Sequence, residues 1–369
     1  MSRMKIESIE TVVVCIPYTT GGSADADAWG GKAWRTADAL LIKVTTEDGL
    51  VGWGEAFGYN AIPATKSAID TMIAPILLGR DAGNIESLML DVAQKLHIFG
   101  RGGPVIYGLS GLDIALWDIA GKAANLPLYR LLGGTRAERL PCYASLIRYT
   151  DPKVVAANVA RAVSDGYQHV KLHEVEVRAV RAAREAAGPA PRIMNDVNCP
   201  WTRQQALEMA AQMRPFDLHW LEEPVWPPED YAGLAQVRAR SGIAIAAGEN
   251  SATLMQFQHM LAAGAVDYIQ PSPTKMGGVS ELRKVFTLAT AHGVTVMPHS
   301  FYDGPGFLAG VHVNAALGQG SLVEWRYFDL EARLYGERFV PQGGTVEVPQ
   351  GPGLGADPDA EVIRRYRAA

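Results

Sequence analysis

From about residue 139 onward, the chain repeats one pattern eight times: a short apolar run, then a longer stretch of helical periodicity. The runs cover residues 142–146, 169–173, 193–197, 219–222, 243–247, 268–270, 294–297 and 322–325. Runs this short suit buried strands rather than helices. The seven intervals have the length and pattern of crossover helices, which parallel strands require. A regular repeat of roughly 25–28 residues predicts a closed parallel βα barrel of the TIM type. An open doubly wound sheet also alternates strands and helices, but seldom eight times so evenly. It would also bring a glycine-rich phosphate turn, and the sequence has none.

Residues 1–125 follow a different rhythm. Residues 4–18 alternate, with Ile6, Ile9, Val12 and Val14 on one strand that ends at Pro17. A polar loop follows at 19–32, rich in Gly, Ser and Asp, and it leads through Trp29 and Lys32 to Trp34 and Arg35. It reads either as a lid over a site or as an ordinary surface loop. Residues 39–44 and 51–55 flank Asp48-Gly49, a strong hairpin signal. Helical patterns then cover 61–79, 84–98 and 104–125. The last contains Gly108-Leu-Ser-Gly-Leu-Asp-Ile-Ala-Leu-Trp-Asp118, whose small residues suit close packing. The expected division is an α+β domain at 1–125, the barrel at 126–330 and a tail at 331–369 that folds back on the first domain.

A barrel of this kind places its chemistry at the C-terminal ends of its strands, where ionisable groups reach water. In strand order those ends offer Lys171 and His173, Asp196 and Asn198, Glu222 and Glu223, Glu249 and Asn250, Ser272, His299, and Glu324. One acid at a strand end is commonly a helix cap. Three in succession, at Asp196, Glu222 and Glu249, converge on one mouth and suit a hard divalent cation, most naturally Mg²⁺. Lys171 and His173 lie two apart on one strand, so both side chains face the barrel interior.

Bulk composition narrows the partners. A net charge of −5 with scattered Lys and Arg argues against nucleic acid or a membrane surface. Cys15, Cys142 and Cys199 are odd in number and far apart, which implies neither a disulfide framework nor a zinc knuckle. With no signal-like or spanning apolar segment, a cytoplasmic location is the expectation.

In order and spacing, the chain resembles the enolase superfamily, and most closely its mandelate racemase-like subgroup. The resemblance rests on Gly52-Trp-Gly-Glu55, the 108–118 stretch, Leu131-Leu-Gly-Gly134, Asp196-x-Asn198, Glu222-Glu-Pro224 and Gly248-Glu-Asn250. It continues through Lys275-Met-Gly-Gly278, Pro298-His299 and Gly351-Pro-Gly-Leu-Gly355, and so covers nearly the whole chain. It implies one Mg²⁺ on Asp196, Glu222 and Glu249, an N-terminal domain that caps the barrel mouth and selects the substrate, and a homo-oligomer. It also implies removal of the proton α to a carboxylate, giving an enediolate held on the metal. That dianion needs concentrated positive charge and a positioned base.

Two positions depart from the subgroup's pattern. Its usual Lys-x-Lys is here Lys171-Leu-His173, so either His173 or Lys171 is the base. Its usual aspartate behind the strand 7 histidine is here Ser272. His299 is therefore expected to be a weaker base and to act as a hydrogen-bond or proton donor, with Asp303 a substitute partner. The subgroup's strand 8 acid, often a protonated donor, is Glu324. A chain with one impaired base suits β-elimination better than two-base racemisation. The expectation is a dehydratase (a lyase) of an aldonate or aldarate, giving a 2-keto-3-deoxy acid. The alternatives are a racemase, epimerase or cycloisomerase, and a non-catalytic ligand-binding protein. Asn198, Arg148, Tyr302, Trp29 and Arg35 are candidate contacts to the small-molecule carboxylate substrate, along with the loop at 54–61.

Overall fold

The computed structural model describes residues 4–22, 34–135 and 138–368. β1 (Ile6–Thr19), β2 (Thr36–Thr46) and β3 (Val51–Ala56) form an antiparallel sheet in sequence order. Its hairpin turns at Gly49, whose φ of +84° is a left-handed conformation that glycine adopts at little cost. The first helical pattern becomes α1 (Ile62–Ala68) and α2 (Ala74–Leu77), joined by a π-helical turn, Ile69–Ile73. α3 (Ile85–Lys95) and the long α4 (Pro104–Ala124) follow. The small residues of α4 receive β3 directly. A Cβ added to Gly54 would lie 1.8 Å from the Gly111 carbonyl oxygen, and one on Gly52 would lie 2.2 Å from that of Ala115. Strand and helix therefore approach backbone to backbone, which only glycine on the strand permits.

After α5 (Leu128–Leu131), the repeat builds the barrel. Its strands and helices are β4 (Arg139–Ser145), α6 (Pro152–Ser164), β5 (His169–Leu172), α7 (Val177–Ala187), β6 (Arg192–Asp196), α8 (Arg203–Met213), β7 (Leu218–Glu222) and α9 (Tyr231–Ser241). They continue as β8 (Ile245–Ala247), α10 (Leu254–Ala262), β9 (Tyr268–Ile269), α11 (Gly278–Ala291), β10 (Thr295–Val296), α12 (Pro305–Leu317) and β11 (Val323–Arg326). The eight strands pair in parallel in the order β10-β9-β8-β7-β6-β5-β4-β11. The end strands β10 and β11 share no ladder. Side-chain bonds span the seam between them, because Ser300 gives its N–H to Glu324 Oε2 (2.8 Å) and its hydroxyl to Glu324 O (3.0 Å).

Local sequence sets several of these boundaries. α8 and α10 begin with capping boxes, Thr202 with Gln205 and Thr253 with Gln256. Each satisfies two otherwise orphaned N–H groups, worth about 1 kcal/mol. Inside the barrel, Tyr143, Met194, Trp220, Ala246, Met297 and Leu322 fill an apolar layer. Lys171 stands over it, its Nζ 5.8 Å from the centre of the Tyr143 ring.

The tail works in two directions. β12 (Asp329–Leu330) adds a fourth strand to the N-terminal sheet beside β1, and α13 (Ala360–Tyr366) packs on β1. β13 (Thr345–Glu347) instead pairs antiparallel with β4 of the barrel.

Several fingerprint residues prove to be latches between these parts. Asp118 of α4 accepts from Trp53 N (2.9 Å), Leu354 N (2.8 Å) and Lys122 Nζ (2.7 Å), tying β3 and the Gly351–Gly355 turn to one carboxylate. Asp113 accepts from Ser280 N at 3.0 Å and so holds α11. Glu55 accepts from Gly306 N at 2.9 Å, at the start of α12. Among the described residues, no helix is long and apolar enough to cross a membrane.

Candidate active site

The mouth of the barrel brings Asp196, Glu222 and Glu249 together, with one oxygen of each within 4.8 Å of the others. Asp196 and Glu222 end adjacent strands in direct register, and Glu249 follows β8 by two residues. All three are buried. Trp220 Nε1 donates to Glu222 Oε2 at 2.8 Å and Asn198 N to Asp196 Oδ1 at 2.9 Å. Asp196 Oδ2 is buried without a hydrogen-bond donor, with Lys171 Nζ at 3.6 Å and His173 Nε2 at 3.4 Å. Burial, and then the charge of Asp196, pushes the Glu222 carboxyl up to about 8, and burial lifts that of Asp196 to about 6. For Glu249, burial is outweighed by His299 and Lys275, which hold it below the usual carboxylate range. Three buried carboxylates in such proximity, one with an unbonded oxygen, make an oxygen-only donor set fit for a hard cation.

Lys171 and His173 are both buried and point inward from β5 and its end. Their surroundings differ. Lys171 Nζ reaches Glu324 Oε1 (2.9 Å), Glu222 Oε1 (3.0 Å) and Asp196 Oδ2 (3.6 Å). Burial disfavours its charge, but Glu222 and Glu324 raise it well above the usual lysine value. It is a fixed cation. His173 instead lines the pocket, its Nδ1 bound to the Leu146 carbonyl at 2.6 Å. Burial, and then the Lys171 charge, brings it down to about 4.

Opposite, His299 lines the same pocket with Nε2 3.1 Å from Glu249 Oε2. Burial lowers its pKa. Its Nδ1 meets Tyr302 Oη at 3.3 Å and Ser272 Oγ at 3.4 Å, and these two hydroxyls are in close hydrogen bond with each other. Asp303 is not its partner. That carboxylate pairs with the buried Arg326, whose guanidinium stacks over Phe301 and Phe328 and draws it away. Glu324, the expected strand 8 acid, lies beside Lys171. Burial opposes its charge, but Lys171 and His299 bring it down to about 2, and Ser300 N donates to it.

The pocket above the triad has a volume of about 510 Å³. The N-terminal domain supplies its roof with Trp34 and Phe57–Ala61, and the barrel supplies Asn198, Glu223, Trp226, Asn250, Lys275 and Phe301 among others. The roof is pinned to the barrel by Tyr59 Oη on Phe301 O (2.7 Å) and Phe57 N on Thr274 O (3.3 Å).

Of the proposed substrate contacts, Asn198 lines this pocket. Arg148 does not, because its guanidinium is committed to the carbonyls of His173 and Val197 and to Asn198 Oδ1 at 3.3 Å. Tyr302 is buried behind His299. Arg35 borders a separate small cavity of about 50 Å³, with Asp38 and Arg326. Trp29 and Lys32 lie outside the described residues. Sequence reasoning left Lys275 as part of a motif only. It stands 3.4 Å from Glu249 Oε1 and over the Phe57 ring, so its place just beyond β9 was the available signal.

Residues 30–133 match the model of the mandelate racemase / muconate lactonizing enzyme N-terminal domain, and residues 154–362 match that of the enolase C-terminal domain-like family. The chain is 32% identical to a 3,6-anhydro-alpha-L-galactonate cycloisomerase of Streptomyces coelicolor, over 98% of this chain and 99% of that one. It is 30% identical to an arabinonate dehydratase of Saccharolobus solfataricus, over 98% and 99%. Among solved structures it is similar to a racemase from Streptomyces coelicolor A3(2) with bound magnesium. There the TM-score is 0.87 with 29% identity, covering 98% of this chain and 100% of that one.

Proposed function

The chain belongs to the mandelate racemase/muconate lactonizing enzyme group of the enolase superfamily, and on that premise we propose that it dehydrates a sugar acid to a 2-keto-3-deoxy acid. The observation that carries the reading is the inequality of its two histidines. Both rings line the pocket, but His173 has a backbone carbonyl behind its Nδ1, whereas His299 has two hydroxyls there. One competent base suffices for elimination, while racemisation needs a base on each face.

Asp196, Glu222 and Glu249 would hold Mg²⁺, a reading supported by the all-carboxylate donor set and by the magnesium in the similar racemase. Bound there, the ion would offset the negative charge that develops beside the substrate carboxylate. Lys171, fixed among Glu222, Glu324 and Asp196, adds a permanent positive charge beneath. His173 takes the α-proton at Nε2. The electron pair left by that proton forms the Cα–Cβ double bond as the β-carbon–oxygen bond breaks with its own pair going to oxygen. His299, on the other side, gives that oxygen a proton so that it leaves as water, the proton on His173 is released to solvent, and the enol left behind tautomerises to the 2-keto acid. The Phe57–Ala61 roof excludes water and contacts the far end of the substrate. A small-molecule acid is thus the only partner the reading needs.

The weak partner set of His299 favours one second reading, ring-opening elimination by a cycloisomerase. An oxygen that leaves as a lactone carboxylate needs less proton assistance than a free hydroxyl does. A panel of aldonates, aldarates and their lactones, incubated with Mg²⁺ in D₂O, separates the cases. Semicarbazide-reactive keto acid is the expected product. Recovered substrate that is inverted and deuterated at the α-carbon, with no keto acid formed, would overturn the proposal.

A further inference from the structure

Tryptophan is on average highly buried, because an uncovered indole leaves a large apolar surface in water. Here Trp201, Trp220 and Trp325 are buried, and Trp34, Trp53 and Trp117 are half-buried. Trp226 differs, with 67% of its surface accessible. Among the exposed large apolar side chains of the described residues, it alone lines the active-site pocket. It stands on the loop between β7 and α9, four residues past Glu222. That backbone is well held. Trp226 N donates to Trp201 O at 2.8 Å, Val225 bridges Trp201 in parallel, and Asp230 N donates to Pro227 O at 3.0 Å. Pro224, Pro227 and Pro228 restrict the turns between these bonds. The indole itself has neither a ring partner nor a hydrogen bond among the described residues. The N-terminal domain brings further rings to the same pocket, Trp34 and Phe57 each packed on Tyr59 with ring centres 4.9 Å apart. The charged groups gather instead at the strand ends, with Glu249, Lys275 and the two histidines.

We propose that Trp226 is a specificity-determining residue, whose indole covers the C–H face of a ring-closed sugar acid, a cyclic ether or lactone, with its carboxylate at the metal end. A ring turns several C–H bonds to one flat side and ties up oxygens that an apolar wall would otherwise leave unbonded. An open polyol chain presents more hydroxyls than these rings can serve. Because the loop is already held in place, little ordering is needed when the ligand covers the indole. The inference rests on the reading that a sugar acid binds in this pocket, and not on which of its bonds breaks.

The test is titration calorimetry of the full-length protein in Mg²⁺ buffer with two acids, tetrahydrofuran-2-carboxylate and lactate. Both carry a carboxylate and an α-oxygen, and only the first carries a ring. The wild type is expected to bind the ring acid about tenfold more tightly than lactate. Trp226→Ala should lose most of that preference and leave the lactate affinity unchanged, while Trp226→Phe, which keeps a flat ring, should retain most of it. A Trp226→Ala protein that keeps the full preference overturns the proposal. So does one that loses both acids equally, as a merely structural role would require, and so does a wild type that binds the ring acid no better than lactate. Neither acid has a β-oxygen to lose, so a failure of the dehydration reading would show in the keto-acid assay and leave this comparison standing.

Discussion

Replacing Glu55 by Gln should make the protein more stable in alkali and leave it nearly unchanged in mild acid. The Glu55 side chain is fully enclosed where β3 meets the start of α12, and burial pushes its carboxyl from 4.5 up to about 7, against the hydrogen bond from Gly306 N. The folded protein therefore holds this proton through a range in which the unfolded chain has lost it. Stability falls as pH rises from about 4.5 to about 7, because ionisation must occur inside the fold. The gap of two to three pH units corresponds to about 3 kcal/mol, taking 1.36 kcal/mol per unit. Glutamine keeps the size and the accepting oxygen and has nothing to ionise. Urea unfolding of both proteins at pH 5, 6, 7 and 8 measures the effect as a difference of differences, which cancels the similarly raised Asp113. The variant should match wild type within about 1 kcal/mol at pH 5 and exceed it by about 3 kcal/mol at pH 8. A difference that stays flat across this range would refute the burial argument.

Four further outcomes follow from the geometry. Mg²⁺ should raise the wild-type Tm, with about 2.7 kcal/mol of stabilisation at a hundredfold excess over Kd. Glu222→Gln should abolish most of that shift without destabilising the metal-free protein, since it relieves the crowding with Asp196. His173→Asn should lower kcat by about 10²–10⁴-fold while circular dichroism stays native, and loss of α-proton exchange in the same variant checks that the missing step is proton removal. Gly54→Ala should cost about 3 kcal/mol or abolish folding, because its methyl would sit 1.8 Å from Gly111 O, and a variant with wild-type urea midpoint would contradict the close packing.

The barrel was legible because its signals are local. The eight strands are short, mainly apolar runs, and carboxylates at or just beyond the ends of β6, β7 and β8 stand out against that background. What stayed hidden depends on contacts remote in sequence. β12 is two residues long and exists only because Tyr18 and Thr19 lie beside it. Arg148 and Arg35 carry the right charge for an anionic substrate, but nothing in their neighbours says that one is tied to carbonyls and the other faces a side cavity. The same holds for Asp303, four residues from His299 in sequence yet committed to Arg326. The loss of the aspartate behind His299 was readable at Ser272. Its replacement by Tyr302, thirty residues away, required the fold.

The seam between β10 and β11 has a consequence for how the site can be tuned. Elsewhere around the barrel, the spacing of neighbouring strand ends is fixed by backbone ladders that no side-chain substitution can alter. Between β10 and β11 the bonds run instead through side chains, from Ser300 N and Oγ to Glu324 and from Leu322 N to Met297 Sδ. A change at Ser300 therefore loosens one of the side-chain bonds across that seam, beside His299 and Glu324, while the seven laddered junctions keep their register.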